Sequence, residues 1–336
     1  MDTYSTDTLL GVVEKVEPFQ PFLLQLFFSR VLPFQTKSIA IDKVAKGLKL
    51  APFVSPMVAG KAQTAKAKET LSFEPAYLKP KDIVDPERLL TRQPGEGFGG
   101  TLDPADRRDA IIADILMDHR SMVLRRLEWM AAQALLTGKV VVEGDNYPKV
   151  EVDFRRTAGL TKTLVGAARW GEAGVSPVDD LESWCDDAEA PVNTVVMGKG
   201  AWKLFRKNSD TKELLDTRRG SRSQLETGPN NGKDVSFKGT LGTDLEIWVY
   251  TGQYEDDDSN MVNFIDDYDV ILGSDAIEGV QAFGAILSPG AGYQALEFYA
   301  RHFVGQEVEV EQIESQSAPL IIPARPDASV SARVYQ

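Results

Sequence analysis

A single cysteine, Cys185, stands in a chain of 336 residues. No intrachain disulfide can form, which suits folding in a reducing cytoplasm. No apolar run approaches the ~20 residues that cross a bilayer, so no membrane segment is expected. The start, Met1-Asp2-Thr3-Tyr4-Ser5-Thr6-Asp7, has neither a basic region nor an apolar stretch, and a secretory signal is not expected. Positive charge is in deficit, with a net charge of −13. A protein that grips DNA shows a basic balance or a basic stripe, whereas this chain repels polyanions on average. In an enzyme such acidity serves solubility. In a container filled with DNA it makes a lining to which the contents do not stick.

Catalytic signatures are equally scarce. His119 and His302 have no cysteine at metal-ligand spacing, and there is no G-x-S-x-G, H-E-x-x-H or Walker glycine loop. The acidic residues Asp256, Asp257, Asp258, Asp266 and Asp267 could face a hard cation, but they lack the spacing and glycine of an EF-hand, so a solvated loop is the expectation. Gly95-Glu96-Gly97-Phe98-Gly99-Gly100 matches G-x-G-x-x-G by letter. It follows Arg92-Gln93-Pro94 rather than a buried strand, which favours a hinge over a dinucleotide site. No metal, cofactor or catalytic residue is therefore expected.

What is present is a 43% hydrophobic, 26% charged chain, enough for a sizeable core. Residues 1–50 hold an aromatic cluster, including Phe19, Phe22, Phe27 and Phe28, punctuated by Pro18, Pro21 and Pro33. It must be buried, in its own domain or on a neighbouring chain. The spacing allows a short helix over Phe22–Arg30 with Pro21 near its start. Residues 52–100 alternate but are broken by Pro52, Pro56, Pro75, Pro80, Pro86 and Pro94, which predicts a long two-stranded excursion with irregular edges. A helix then runs from Asp103, an N-cap with Pro104 behind it, to a stop at Gly138. Ile111, Ile115, Met122, Leu127, Met130, Ala134 and Leu135 form its apolar stripe, with a satisfied His119 on the same face. Val140–Val152 reads as a hairpin. The remainder is mixed: helices over Asp179–Ala188 and Ala201–Asn208, and strands at Val192–Met197, Leu245–Tyr250, Val270–Leu272, Val308–Val310 and Leu320–Ile322.

Leu215-Asp216-Thr217-Arg218-Arg219-Gly220-Ser221, followed by Leu225-Glu226-Thr227, resembles the major capsid protein family of lambda-like tailed bacteriophages. Further stretches agree in the same order: Phe27-Phe28, Val54-Ser55-Pro56, Lys79-Pro80-Lys81, Leu102-Asp103-Pro104-Ala105, Arg107-Arg108, Tyr250 to Tyr254, and Gln316 to Leu320. Each is short, but they are collinear over nearly the whole chain. The resemblance implies an α+β fold of the Hong Kong 97 type. Its expected parts are an N-terminal arm (1–50), an extended hairpin loop (51–100), a spine helix with the peripheral domain (101–174), an axial domain (175–300) and a return to the peripheral domain (301–336).

The same resemblance implies a non-enzymatic shell protein of the virion, assembled in the host cytoplasm as hexamers and pentamers. Its implied partners are a scaffolding protein, a portal, a decoration or cement protein, and packaged DNA held without sequence-specific binding. The subunit interface is expected at Phe19, Phe22, Phe27, Phe28, Lys66, Lys68, Asp216, Arg218, Arg219 and Glu226, the arginine forks pairing carboxylates. Decoration-protein docking is expected around Thr64 to Thr70 and on the N-terminal arm. Removal of residues 1–33 is expected to leave a folded subunit that fails to assemble. Some shells of this fold cross-link a loop lysine to an asparagine. Lys66 or Lys68 could supply the amine, but no asparagine follows Asn263. An encapsulin-like compartment and a soluble acid–base hydrolase are the competing readings. The hydrolase requires a cleft holding a carboxyl group of raised pKa.

Overall fold

The computed structural model describes residues 19–36, 38–44, 68–91, 103–144, 147–208, 211–212, 215–216, 234–242, 245–304 and 310–335. The helices that organise the described residues are α1 (Phe22–Phe27), α2 (Pro86–Leu90), α3 (Pro104–Thr137), α4 (Pro177–Asp187) and α5 (Lys199–Phe205). The glycine-rich turn at 95–100 and residues 305–309 lie outside the described residues.

The spine α3 has 34 residues, about 50 Å at ~1.5 Å per residue. Asp103 occupies its N-cap position in extended conformation, although its side chain makes no cap bond; its carbonyl accepts from Arg107 N–H. Gly138 ends it in the left-handed region at φ 71°, where a side chain would also meet Arg156 Cβ at 2.8 Å. The buried stripe differs from expectation at one place. Val123 points inward, while Met122 is 52% exposed. The buried face turns along the helix because α3 packs on different partners at its two ends. It touches strand Lys81–Val84 and strand Glu311–Gln316, and it also packs on Pro319–Pro323 and on Val330–Arg333, the strand next to one edge of the largest sheet.

That sheet has seven strands in the order Thr161–Thr163, Val330–Arg333, Asp269–Gly273, Thr194–Met197, Leu245–Tyr250, Val235–Leu241 and Leu215–Asp216. One face carries α4 and α5 over a core in which the Trp170 ring stacks on Trp184 at 5.9 Å and meets Phe205 at 5.8 Å. The other face joins the core under α1 and α3, where Trp248, Tyr250 and Ile271 are buried. Two smaller sheets flank the spine. Arg30–Pro33 runs parallel to Gly279–Phe283, which pairs with Pro319–Pro323. Tyr299–Val304, Glu311–Gln316 and Lys81–Val84 form the other. Of the strand expected at Val308–Val310, Val308 lies outside the described residues, and the described strand here is Glu311–Gln316. It is the central strand of its sheet, with Glu311 and Glu314 engaged by ion pairs and Ser315 bonded to His119. A two-stranded ribbon pairs Ile39–Val44 with Lys68–Phe73, so the excursion starts within the segment assigned to the arm.

Candidate functional site

The apolar N-terminal segment is held within its own subunit. Phe28 is fully buried and Phe27 nearly so, at 0% and 3% exposure. Phe22 packs on Trp248 and Tyr250 at 5.6 and 5.3 Å, and Phe19 on Phe264 at 6.2 Å with the Arg125 guanidinium over its ring. The expectation that these rings face a neighbour fails for Phe27 and Phe28, whose surface is already spent on this chain's core. Phe19 and Phe22 retain partial exposure. Removing residues 1–33 would also strip α1 and the strand Arg30–Pro33, so the arm is not separable at Pro33.

A buried carboxylate on the spine fixes α1. Glu128 Oε1 accepts from the backbone N–H of Phe22 (3.0 Å) and Leu23 (2.8 Å), and Oε2 accepts from Leu24 N–H (3.1 Å). These are the N–H groups that the first turn of any helix leaves unpaired. Pro21, at the N-cap, provides no side-chain cap, so Glu128 supplies it from 104 to 106 residues away. Burial raises the Glu128 carboxyl to about 7, against the lowering pull of these N–H groups. Burial first, and Glu128 second, push the adjacent Tyr250 hydroxyl far above its ordinary range. A raised carboxyl is what a hydrolase requires. Glu128, however, is 0% exposed and faces backbone N–H groups rather than a cleft.

Three further contacts brace the spine. Arg156 donates to the carbonyls of Leu135 and Leu136, to Thr161 Oγ1 (2.6 Å) and to Ser331 Oγ (3.0 Å), tying the spine's C-terminus to the edge of the seven-stranded sheet. Burial lowers its guanidinium to about 10, which leaves it charged at neutral pH. His119, fully buried, bridges Ser315 Oγ (2.8 Å) and Asp82 Oδ2 (3.0 Å). Burial outweighs Asp82 and lowers its pKa, so the ring is neutral at pH 7: Nε2–H donates to Asp82 and Nδ1 accepts from Ser315. Arg108 grips Glu311 with two bonds of 2.8 and 2.7 Å. These residues are structural fasteners.

Of the remaining expected interface residues, Lys68 and Thr70 sit on the ribbon strand opposite Val44 and Asp42, and Asp216 lies on the outermost strand of the large sheet. Thr64, Lys66, Arg218, Arg219 and Glu226 lie outside the described residues. Asp256 binds its own loop, accepting from the N–H groups of Asp258 and Asn260. Asp266 pairs with Arg333. Among the described residues no cluster of His, Cys, Asp or Glu is placed to hold a metal ion. A groove of about 770 Å³ does open along the spine's outer face. Met122, Arg126 and Trp129 line it on one side, and Tyr77, Lys79 and Met261 on the others. Sequence reasoning missed both this groove and Glu128. Glu128 did leave a signal, as the one acidic residue between Val123 and Gly138.

The family model described as phage major capsid protein E matches residues 5–334. The major capsid protein of Escherichia phage N15 is 36% identical over 99% of this chain and 100% of that protein. The major capsid protein of Escherichia phage lambda is 35% identical with the same coverage. The crystal structure of a prophage capsid protein from Escherichia coli CFT073 superposes with a TM-score of 0.80 at 27% identity, over 99% of both chains. An encapsulin from Synechococcus elongatus superposes with a TM-score of 0.50 at 9% identity, over 97% of this chain and 95% of its own, a likeness of fold alone. The fold is accordingly of the Hong Kong 97 type. Among the described residues no helix is long and apolar enough to cross a membrane.

Proposed function

The chain belongs to the phage major capsid protein E family, and on that premise we propose that its copies build the icosahedral head shell that encloses double-stranded DNA. The observation that carries this reading is the family match from residue 5 to residue 334. The architecture supports it: a 34-residue spine and a two-stranded ribbon are extended parts that a small globular enzyme does not need. The role is structural, and the Glu128 carboxyl group, raised to about 7, is occupied in capping α1.

Hexamers and pentamers assemble with a scaffolding protein and a portal, and the shell expands from a procapsid to the mature head. The ribbon lies across a neighbouring subunit, and the spine groove bordered by Met122 and Trp129 receives part of that neighbour. A chain of net charge −13 gives its contents little to adhere to, so contacts between subunits oppose the pressure of packaged DNA. With no asparagine after Asn263, those contacts are non-covalent and are reinforced by a decoration protein docked near Thr64 to Thr70. Electron microscopy of purified particles tests the reading. Closed shells containing DNA are expected. A protein-filled compartment would favour the encapsulin reading, and a stable monomer at every concentration would exclude a shell. Denaturing gels of mature shells should give a single subunit band; a covalent ladder would overturn the non-covalent claim.

A further inference from the structure

The layer formed by α4 and α5 carries opposite charge on its two flanks. On α4 the outward residues are Asp179, Glu182 and Asp186, all exposed, at spacings of three and four. Of the carboxylates next to them, Asp180 accepts from the Trp170 indole and Asp187 pairs with Lys162, so the outer stripe is the part left facing solvent. On α5 and its C-cap the outward residues are Lys199, Lys203 and Arg206, also exposed, at spacings of four and three. Each stripe spans eight residues, seven steps that rise ~10.5 Å, within one face of its helix. The two helices cover the same face of the seven-stranded sheet. α4 packs on the side of Val330–Arg333 and α5 on the side of Leu245–Tyr250, separated by the strands Asp269–Gly273 and Thr194–Met197.

Beyond α5 the sheet continues through Val235–Leu241, and a groove of about 700 Å³ opens there. Lys199, Lys203, Arg206 and Lys238 line it, against the carboxylates Asp234 and Asp267. The floor is partly sheet, at Ser236 and Val249, and the wall is the Trp202 side of α5. A groove beside a helix, above open sheet, is the place for one more helix of the same layer. In a chain of net charge −13 its cationic lining selects an acidic one.

We propose that this groove receives the acidic face of α4 from a second copy of the chain, so that Lys199, Lys203 and Arg206 of one subunit meet Asp179, Glu182 and Asp186 of the next. The two faces are different and lie on opposite flanks, which makes the contact head-to-tail. Such contacts close into rings when the rotation between copies allows it. The inference rests on the shell-forming reading and supplies one contact within its capsomers.

Charge reversal in the full-length chain tests it, with shell yield read by sedimentation and electron microscopy. Lys199→Glu with Lys203→Glu and Arg206→Glu should lower shell yield at least about tenfold, because like charges across an interface are strongly unfavourable. Asp179→Lys with Glu182→Lys and Asp186→Lys should do the same. The six changes combined restore opposite charges across the contact, keep the net charge of −13 and should recover shells. Restoring net charge elsewhere, by adding Glu143→Lys, Glu172→Lys and Asp258→Lys to the first variant, should not. Should a reversed variant misfold, the neutral triple Lys199→Gln, Lys203→Gln, Arg206→Gln takes its place and should lower the yield and flatten its dependence on salt. Wild-type yields from both single-stripe variants, or no rescue by the combination, would overturn the contact while wild-type shells leave the capsid reading standing. Normal empty shells from the basic-stripe variant with a selective loss of DNA content would assign the groove to nucleic acid and also overturn it.

Discussion

Replacing Glu128 with glutamine removes one titrating group and leaves its volume in place. The wild-type carboxyl lies at about 7 in the folded subunit, against 4.5 for an unperturbed glutamate. Between those values the folded chain holds a proton that the unfolded chain has released. Stability contributed by this group is therefore complete below about pH 4.5 and is lost as pH rises through 7. The difference converts to about 3 kcal/mol, and complete burial leaves no solvent screening to reduce it. The glutamine side chain of E128Q would keep the acceptor at Oε1 for Phe22 and Leu23 but would turn an amide toward the Leu24 N–H. One lost bond to a buried donor should cost about 1–3 kcal/mol. Urea unfolding of unassembled subunits, followed by tryptophan fluorescence at steps from pH 5 to 8, measures both effects. The wild type should lose about 2–3 kcal/mol relative to E128Q across that range. His119 is present in both proteins; its lowered pKa gives the opposite slope, stability falling as pH drops below about 6.5, and it cancels in the comparison. Parallel pH profiles for the two proteins would refute the placement of a titrating carboxyl beneath α1.

The other expectations concern the same fastenings. Gly279→Ala places a methyl against the Phe27 carbonyl and the Phe28 ring, and should cost about 1–3 kcal/mol while exposing the N-terminal segment to limited proteolysis. Arg156→Ala uncaps the Leu135 and Leu136 carbonyls and should lower stability by about 2–3 kcal/mol in thermal unfolding, with Arg156→Lys recovering only part because an ammonium cannot reproduce the fork. Burial, reinforced by Asp186 and Glu182, raises the Cys185 thiol to about 11, so at pH 8 a disulfide-exchange reagent should label the folded chain at least about tenfold more slowly than the unfolded one. Equal labelling rates would show that α4 is open at Cys185.

The elements most legible in the sequence were those whose signals are local. Pro104 and Gly138 bracket the spine to within a residue at each end, because a proline in the first turn and a left-handed glycine after the last are requirements of the helix itself. Leu245–Tyr250 was legible at both ends because the β-branched and aromatic run is bounded by turn residues. The strand Glu311–Gln316 was not: it holds its place through Arg108, Arg301 and the Ser315 bond to His119, partners that only the fold brings near. For the same reason α1 stops at Phe27 rather than Arg30, since the chain must turn to lie parallel to Gly279–Phe283.

The arm shows where composition stops being informative. A dense aromatic cluster demands burial, but hydrophobic burial has no direction and does not name the chain that provides it. Polar groups decide the matter. A glutamate on the buried face of the spine is too costly to bury without partners, and the first turn of a helix without a side-chain cap is too costly to leave unpaired. Each needs what the other has, and their meeting fixes α1 on its own subunit. The same logic separates what remains for assembly. Phe27 and Phe28 are consumed within the subunit, whereas Lys199, Lys203 and Arg206 stay exposed beside an open groove. In this chain apolar burial builds the subunit, and the charges left facing solvent are the better guide to what the subunit meets.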